Sequence, residues 1–407
     1  MFENVLKDLK KNFGNTIASI GVDQTQKTYF SLGTPTLDFC TYNSIPEGCF
    51  IELSGKEGSA KTTGAFLLAK SFTNKELLKP IEERRGILFV DAECTLDPTW
   101  ALTSAGYDVN SKEVQTLYFA PEGQSAEEIF NVVTEVVKSG ECGLVIFDSL
   151  TAIAGEQVIN DKEGMKKKDM ANIASILRDF VRRNTGLFKK YHCTFIGING
   201  TTINLSPYGN PETTGGGTYW KRACSLRLRF KQGDFFDEEG NALKSTAESP
   251  AGHIVQVAVL KTKICRWDRK LGSFHLNYTK GIDLLADTID IAISFDFIKA
   301  SGAWFSFVDP KTGEVLCDET GKPIKVNGMK RVKEYLNEHK DVWKLLYDAV
   351  YEKLSIKDDP NIKSFEEMLN IDVQKEFNLD FEKERLAEEV SVEETEEKVD
   401  DEKPEFN

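Results

Sequence analysis

The chain has 407 residues, a formal net charge of −14 at pH 7 and 40% hydrophobic residues. This length allows about two or three domains, and the composition is typical of a soluble globular protein. No apolar run approaches the ~20 residues of a membrane span and no apolar leader follows Met1, which predicts a cytoplasmic protein with no membrane partner. The eight cysteines and four histidines lack the spacing of metal ligands, which predicts reduced thiols and structural histidines.

The charge is distributed unevenly along the chain. Residues 151–232 carry 14 Lys/Arg and 6 Asp/Glu, a local charge of +8, whereas residues 381–407 carry 12 acidic and 4 basic residues, a local charge of −8. An acidic protein with a basic middle can still bind a polyanion such as a nucleic acid. We hypothesise that the acidic end of the chain screens the basic surface.

Residues 1–30 form a small N-terminal segment. Val5, Leu6 and Leu9 lie on one face of a predicted short helix, and residues 16–20 have the pattern of a strand. One helix and one strand cannot bury their own apolar faces. We therefore expect this segment to dock on the core or on another copy of the chain.

The core is expected to begin near residue 31, and its most distinctive feature is a phosphate-binding pattern. An apolar strand at residues 50–53 leads into a Gly-rich turn and then an apolar helix, which is the context that a phosphate-binding loop requires. Backbone N–H groups at the helix N-terminus would form an anion site, Lys61 would reach the β- and γ-phosphates, and Thr62 would ligate Mg²⁺. The loop consists of Gly55, Lys56, Glu57, Gly58, Ser59, Ala60, Lys61, Thr62 and Thr63.

This loop departs from the pattern G-x-x-x-x-G-K-[ST] at Ala60, where a glycine is expected. If the position needs a positive φ angle, alanine costs roughly 1 kcal/mol. We expect the loop to tolerate that cost, because the rest of its sequence is well specified and Gly58 supplies local freedom.

The core continues with apolar strands that alternate with helical patterns. The predicted strands lie at residues 86–90, 143–147, 193–198, 224–230 and 254–260. Such alternation predicts an α/β fold with a twisted, mostly parallel sheet and helices on both faces.

Polar residues follow the ends of several of these strands. Lys61, Glu93, Asp148 and Asn199 lie at or just past strand ends, where ligands of such sheets bind, so one site is expected there. Asp148 follows an apolar strand, as in a Walker B element, and would bind Mg²⁺ through water. Glu93 is a candidate for orienting and activating an attacking water molecule.

The sequence pattern changes beyond about residue 284. A predicted strand at residues 304–307 and several short helical patterns indicate a small α/β domain that ends near residue 372. The residues that follow form an acidic tail that is too highly charged to pack, which predicts disorder. The predicted organisation is an appendage at 1–30, a core at 31–283, a small domain at 284–372 and a tail at 373–407.

Several motifs together resemble the bacterial RecA family. The segment Asp91-Ala92-Glu93 with Leu96-Asp97-Pro98 resembles the D-A-E-x-x-L-D-P segment of RecA. A more specific run resembles the second DNA-binding loop of RecA and consists of Gly209, Asn210, Pro211, Glu212, Thr213, Thr214, Gly215 and Gly216. The resemblance covers nearly the whole chain. It implies a RecA-like P-loop ATPase core with an N-terminal helix–strand appendage and a small C-terminal α/β domain.

The resemblance implies roles for the residues around the phosphate loop. Lys61, Thr62 and Thr63 match ligands of the phosphates and of Mg²⁺, Glu93 matches the catalytic glutamate, and Asp148 matches the Walker B aspartate. ATP and Mg²⁺ are therefore the implied cofactors.

Other matching residues imply contacts with adenine and with a neighbouring subunit. Asp97 and Trp100 match positions that contact the adenine base. Lys261 and Lys263 match lysines that reach the γ-phosphate bound by the next subunit, where they would stabilise transition-state charge like arginine fingers. This implies a helical filament with ATP at each subunit interface.

The candidate DNA-binding residues lie in two segments and one strand. Residues 201–217 are rich in glycine and threonine, and loops of this length are usually functional or disordered. Small residues and backbone N–H groups suit the phosphate backbone of DNA. Ile203 or Leu205 would wedge between bases. The other candidates outside residues 209–216 are Lys166, Lys167 and Lys168, together with Arg227 and Arg229, which match or lie near basic positions that line the DNA path.

One departure from RecA affects the expected coupling between ATP and DNA. RecA has an Asn-Gln pair where this chain has Asn199-Gly200, and that glutamine senses the γ-phosphate. The coupling is left open, with Thr201 or Thr202 as substitutes. The differences suggest a diverged member of the family, and a phage origin is one hypothesis.

The leading hypothesis is a DNA-dependent ATPase that polymerises on single-stranded DNA and exchanges strands with a homologous duplex. One alternative is an ATP-gated filament that coats DNA with little hydrolysis, and another is a RecA-like DNA motor such as a hexameric helicase. Expected partners are single- and double-stranded DNA and further copies of the chain. Mediator or single-strand-binding proteins are candidate partners of the acidic tail.

Overall fold

The structure is a computed structural model that describes residues 29–43, 45–159, 170–203, 212–244, 246–354 and 373–377, together with Lys11. Several predictions lie outside the described residues. These are the N-terminal helix and strand, the DNA-binding candidates Lys166, Lys167, Lys168, Leu205, Gly209, Asn210 and Pro211, and the acidic tail beyond residue 377.

The strands among the described residues are numbered in chain order. They are β1 (Tyr29–Phe30), β2 (Ile45–Pro46), β3 (Phe50–Gly55), β4 (Gly86–Asp91), β5 (Thr116–Phe119), β6 (Cys142–Asp148), β7 (Thr194–Ile203), β8 (Glu212–Thr214), β9 (Leu226–Phe236), β10 (Ala242–Leu243), β11 (Gly252–Thr262), β12 (Leu271–Asn277), β13 (Gly281–Ile282), β14 (Ile298–Ser301), β15 (Trp304–Phe307) and β16 (Lys325–Asn327).

The α-helices among the described residues are numbered in the same way. They are α1 (Pro35–Thr41), α2 (Lys61–Glu76), α3 (Pro98–Ala105), α4 (Ala126–Lys138), α5 (Glu156–Ile159), α6 (Met170–Lys190), α7 (Gly217–Ala223), α8 (Leu284–Ser294), α9 (Met329–Glu338), α10 (Lys340–Leu354) and α11 (Val373–Glu376). None of these helices is long and apolar enough to cross a membrane.

The central sheet has the strand order β13-β12-β11-β9-β3-β7-β6-β4-β5. Neighbouring strands from β9 to β5 in this order are parallel, whereas β11, β12 and β13 continue the sheet with antiparallel pairing. The predicted α/β fold with a mostly parallel sheet is therefore confirmed. The strand predicted at residues 254–260 belongs to the antiparallel part of the sheet.

Helices cover both faces of the parallel strands because these strands are apolar on both sides. In β6, Leu144 and Ile146 pack in one core cluster with α2, while Val145 and Phe147 pack in the other with α4 and α6. All residues of β6 are buried. Such continuous burial explains why the sequence shows an apolar run here and no alternation.

Capping residues define where two of the helices beside the sheet begin and end. Ser125 and Glu128 form a reciprocal capping box at the start of α4. Asp97 caps α3 by accepting hydrogen bonds from the backbone N–H groups of Thr99 and Trp100, and Gly106 ends this helix in the left-handed conformation.

The C-terminal part of the described chain contains the three-stranded antiparallel sheet β14-β15-β16, followed by α9 and α10. A third core cluster joins these elements to α8, to Phe39 of α1 and to Leu271 of β12. Phe377, next to α11, is buried in the same cluster. The described residues after 284 thus contain both helices and strands, and the domain boundaries at residues 284 and 372 remain predictions.

Candidate nucleotide and nucleic-acid site

The predicted phosphate loop joins β3 to α2 at the carboxyl end of the central sheet. Gly55 ends β3, and a Cβ atom at this position would overlap the carbonyl oxygen of Phe230 and the hydroxyl of Ser59. The loop therefore passes too close to β9 for any residue with a side chain at Gly55. Helix α2 begins at Lys61, so its first backbone N–H groups have no partner within the helix and face the loop.

Ala60 adopts the left-handed conformation, with φ 64° and ψ 31°. The phosphate-loop pattern has glycine at this position, and glycine adopts this conformation without steric strain. Alanine at position 60 therefore strains the backbone. The Cβ atom of alanine in this region costs about 1 kcal/mol.

Replacing Ala60 with glycine should stabilise the folded protein by up to about 1 kcal/mol, because the steric cost disappears while glycine adds some entropy to the unfolded chain. Urea unfolding monitored by circular dichroism measures this difference. Ala65→Gly is a matched control in the interior of the same helix, and it should destabilise the protein by about 1 kcal/mol or more. A destabilising effect of Ala60→Gly would contradict the strain at this position.

Lys61, Thr62 and Asp148 meet where the loop faces the end of β6. The Thr62 hydroxyl donates to Asp148 Oδ2 at 2.8 Å, and Lys61 Nζ donates to the carbonyl oxygen of Lys56 at 2.7 Å. Burial raises the pKa of Asp148 to about 6, and the nearby carboxylate of Glu93 acts in the same direction. Burial also lowers the pKa of Lys61, against the attraction of Asp148 and Glu93.

Glu93 lies just past the end of β4, beside the end of β6. The Ser149 hydroxyl donates to Glu93 Oε1 at 2.5 Å, and the hydroxyls of Ser149 and Thr151 lie 2.9 Å apart. The Glu93 side chain is exposed, so water has access to its carboxylate. This contact of Ser149 was not predicted. The only sequence signal for it is that Ser149 directly follows Asp148.

These residues fit the two cofactors that the sequence implies. Among the described residues, the buried carboxylate of Asp148 accepts a hydrogen bond from the Thr62 hydroxyl, and a nearby cation would stabilise its negative charge. Thr62 and Asp148 supply the hard oxygen donors that Mg²⁺ prefers. The N-terminus of α2 and Lys61 suit the negative charge of a phosphate chain.

The two predicted adenine contacts lie close together at the start of α3. Asp97 is exposed and accepts hydrogen bonds from backbone N–H groups, and Trp100 is half-buried against the core beneath α2. Their contact with an adenine base remains a prediction.

A buried polar network lies beneath the site and was not predicted. Glu52, in the middle of β3, pairs with Arg227 at 2.5 Å and accepts hydrogen bonds from Asn199 Nδ2 at 2.9 Å and Trp220 Nε1 at 3.0 Å. Burial would raise the pKa of Glu52, but Arg227 and Asn199 hold it below its ordinary value. The predicted site residue Asn199 therefore belongs to this network, and its Nδ2 also donates to the carbonyl oxygen of Gly215 at 3.0 Å.

The Gly- and Thr-rich segment is only partly a loop. Its two ends pair as antiparallel strands, with Thr201 opposite Thr214 and Thr202 opposite Thr213. Ile203 is the last residue of β7, and its side chain lies outside the described part. The expectation of one long loop at residues 201–217 is thus corrected, because β-branched threonines at both ends favour strand pairing.

Glu212 connects this segment to the phosphate loop. Its carboxylate lies 2.9 Å from Lys56 Nζ and 3.9 Å from a terminal nitrogen of Arg229. Glu212, which is predicted to contact DNA, therefore forms an ion pair with Lys56 of the loop that is predicted to contact ATP.

Burial argues against direct DNA contacts by Arg227 and Arg229. Both side chains are only 3% exposed, and Arg227 is neutralised by Glu52. Their alternation along β9 places them on one face of the strand, beneath the segment that ends at Gly216. Sequence patterns cannot distinguish a basic residue on a surface from one paired inside a sheet, since both produce the same alternation.

Lys261 and Lys263 lie at the end of β11 and contact the C-terminus of α7. Lys261 Nζ donates to the carbonyl oxygens of Lys221 and Arg222 at 2.6 and 2.9 Å, and Lys263 Nζ donates to that of Arg222 at 2.5 Å. Cations are stabilised at helix C-termini. Contact with a nucleotide on another subunit remains a prediction for both residues.

Comparison with known proteins decides the family. Residues 1–283 match the sequence profile described as the RecA N-terminal domain. The chain belongs to the RecA family. This match covers most of the chain, including the phosphate loop, Asp148, the Gly- and Thr-rich segment, Lys261 and Lys263.

Individual relatives support the same assignment. Protein RecA of Campylobacter hominis is 28% identical over 375 residues, which cover 89% of this chain and 96% of that protein. Protein RecA of Ectopseudomonas oleovorans is 30% identical over 363 residues (87% and 92%), and that of Chlorobaculum parvum is 30% identical over 315 residues (76% and 83%). The family match and these relatives together show that the chain is a diverged member of the RecA family.

Proposed function

We propose that this chain binds ATP with Mg²⁺, polymerises on single-stranded DNA and promotes homologous pairing and strand exchange, with ATP hydrolysis stimulated by DNA. The observation that supports this most strongly is the convergence of Lys61, Thr62, Asp148 and Glu93 at one edge of the sheet. A hydrogen bond between Asn199 and Gly215 connects that edge to the segment that resembles the DNA-binding loop of RecA.

The roles of the chain's own groups follow from their positions. Lys61 and the N-terminus of α2 would hold the phosphates, and Thr62 with Asp148 would hold Mg²⁺, which neutralises phosphate charge when bound. Glu93 would accept a proton from an attacking water and orient it, while Ser149 fixes the carboxylate.

Coupling between ATP and DNA is assigned to contacts that join the two regions. Gly200 has no side chain to sense a γ-phosphate, but Asn199 and Glu212 both connect the Gly- and Thr-rich segment to the strands or loop of the nucleotide site. A shift of the phosphate loop on ATP binding would therefore reach residues 212–216.

Strand exchange between homologous DNA molecules tests this function directly. Full-length protein with ATP and Mg²⁺ should pair a labelled single strand with a homologous duplex and displace one strand, and it should form helical filaments in negative-stain images. A heterologous duplex is the control and should give no displaced strand. Closed rings together with strand unwinding would instead indicate a helicase and contradict the recombinase function.

A second candidate is an ATP-gated filament that coats DNA with little hydrolysis. The strained Ala60 favours it, because this residue lies in the loop proposed to hold the phosphates. Gly200 favours it as well, because it stands where RecA has the glutamine that senses the γ-phosphate. ATP-dependent filaments with no phosphate release and no strand displacement would support this candidate over the first.

A further inference from the structure

Three potential metal ligands converge at a place remote from the phosphate loop. His275 lies on β12, and Asp287 and Asp290 lie on α8. His275 Nδ1 is 3.3 Å from Asp287 Oδ1 and 3.8 Å from Asp290 Oδ2, and one ligand atom from each residue lies within 4.8 Å of the others. Two donor atoms that each lie about 2.1 Å from one ion are roughly 3.0 to 3.4 Å apart. The cluster is therefore close to the size that a single ion requires.

The Asp287 carboxylate is incompletely satisfied. The side chain is fully buried, and the backbone N–H and the ring of His275 contact only its Oδ1 atom. Its Oδ2 atom has no hydrogen-bond partner within the described part of the chain. A buried carboxylate oxygen without a donor is costly, and a bound cation would remove that cost.

The local charge also favours a dication. Two further charged groups, Asp283 and Lys333, act on the cluster, and they pair with each other at 3.0 Å. With a neutral imidazole, the three aspartates and one lysine of this region carry a summed charge of −2. Asp290 is 26% exposed, which gives an ion access from solvent.

We propose that His275, Asp287 and Asp290 form a binding site for a divalent transition-metal ion of the Mn²⁺ class. Carboxylate oxygens suit Mn²⁺, and the imidazole nitrogen favours a transition metal over Mg²⁺. A bound ion would join β12, in the antiparallel part of the central sheet, to α8, the helix that begins the C-terminal part. The sequence gives no motif for this site, because its ligands come from different elements.

Mn²⁺ binding to full-length, nucleotide-free protein tests the proposal. Free Mn²⁺ is followed by its electron paramagnetic resonance signal during titration in millimolar Mg²⁺, which occupies weak carboxylate sites. We expect one saturable site per chain, and saturation with Mn²⁺ should raise Tm by about 3 °C. Nucleotide is omitted, so failure of this site and failure of the proposed ATPase are distinguishable.

Two ligand variants and one control identify the site. Asp290→Asn and His275→Gln should each weaken Mn²⁺ binding by at least ~10-fold and abolish the Mn²⁺-dependent rise in Tm. His253→Gln, at a buried histidine on the neighbouring strand β11, should bind Mn²⁺ like the unmodified protein. The absence of a saturable site, or Mn²⁺ affinities of both ligand variants equal to that of the unmodified protein, would overturn the proposal.

Discussion

Replacing Lys61 with alanine should reduce ATP hydrolysis by about 10²–10³-fold while leaving the fold intact. This magnitude is typical for the loss of one preorganised group that stabilises transition-state charge. The Lys61 ammonium contacts the loop carbonyl of Lys56 and lies within the electrostatic reach of Asp148 and Glu93, so it is held at the site before any ligand binds. A phosphate-release assay measures the rate, and binding of a fluorescent ATP analogue measures the affinity.

Lys70→Ala is the matched control for this experiment. Lys70 lies on the same helix, half-buried beside Gly106 and away from the loop, so its loss changes the helix charge equally without touching the site. We expect hydrolysis by this variant to stay near the rate of the unmodified protein. Equal rates for Lys61→Ala and the unmodified protein would show that the loop does not bind the reacting phosphate.

The second large effect is expected from the buried ion pair beneath the site. Replacing Arg227 with methionine should lower the free energy of unfolding by about 3–5 kcal/mol, because Glu52 would be left as a buried charge without its partner. Arg227 and Glu52 are 3% and 0% exposed and lie 2.5 Å apart. Urea unfolding monitored by tryptophan fluorescence and by circular dichroism measures the loss.

The double variant Glu52→Leu with Arg227→Met separates the charge effect from the loss of packing. It should be more stable than Arg227→Met alone, since neither charge remains buried, although Asn199 and Trp220 then lose an acceptor. If Arg227→Met unfolds at the same urea concentration as the unmodified protein, the network does not stabilise the fold. A variant that is stable but binds DNA weakly would instead support the DNA contact predicted for Arg227.

The sequence was sufficient for those parts of the site that follow from local patterns. The apolar runs before Asp148 and the Gly-rich turn before Lys61 specify strand ends, and parallel strands place their carboxyl ends at one edge. The contact between Thr62 and Asp148 therefore follows from two separate motifs and the fold class. The positive φ angle of Ala60 also follows from the pattern, because the position requires glycine in most such loops.

Other features depend on pairing between distant segments and could not be predicted. Glu52 is a single charge within an apolar strand, and only the register of β3 beside β9 shows that Arg227 lies next to it. The strand pairing of Thr201 with Thr214 also depends on a contact between residues that are distant in sequence. The composition of the segment, which is rich in glycine and threonine, indicated a loop because it does not show this pairing. The contact of His275 with Asp287 also joins two separate elements, and the four histidines show no ligand spacing along the chain.

The most direct measurement is the rate of ATP hydrolysis by the full-length protein with and without single-stranded DNA. If the phosphate loop and the segment at residues 212–216 act as one unit, single-stranded DNA should raise the rate by at least roughly tenfold, and Lys61→Ala should remove both the basal and the stimulated rates. An ATPase rate that is unchanged by DNA would contradict the proposed coupling, even with the family and the fold as described.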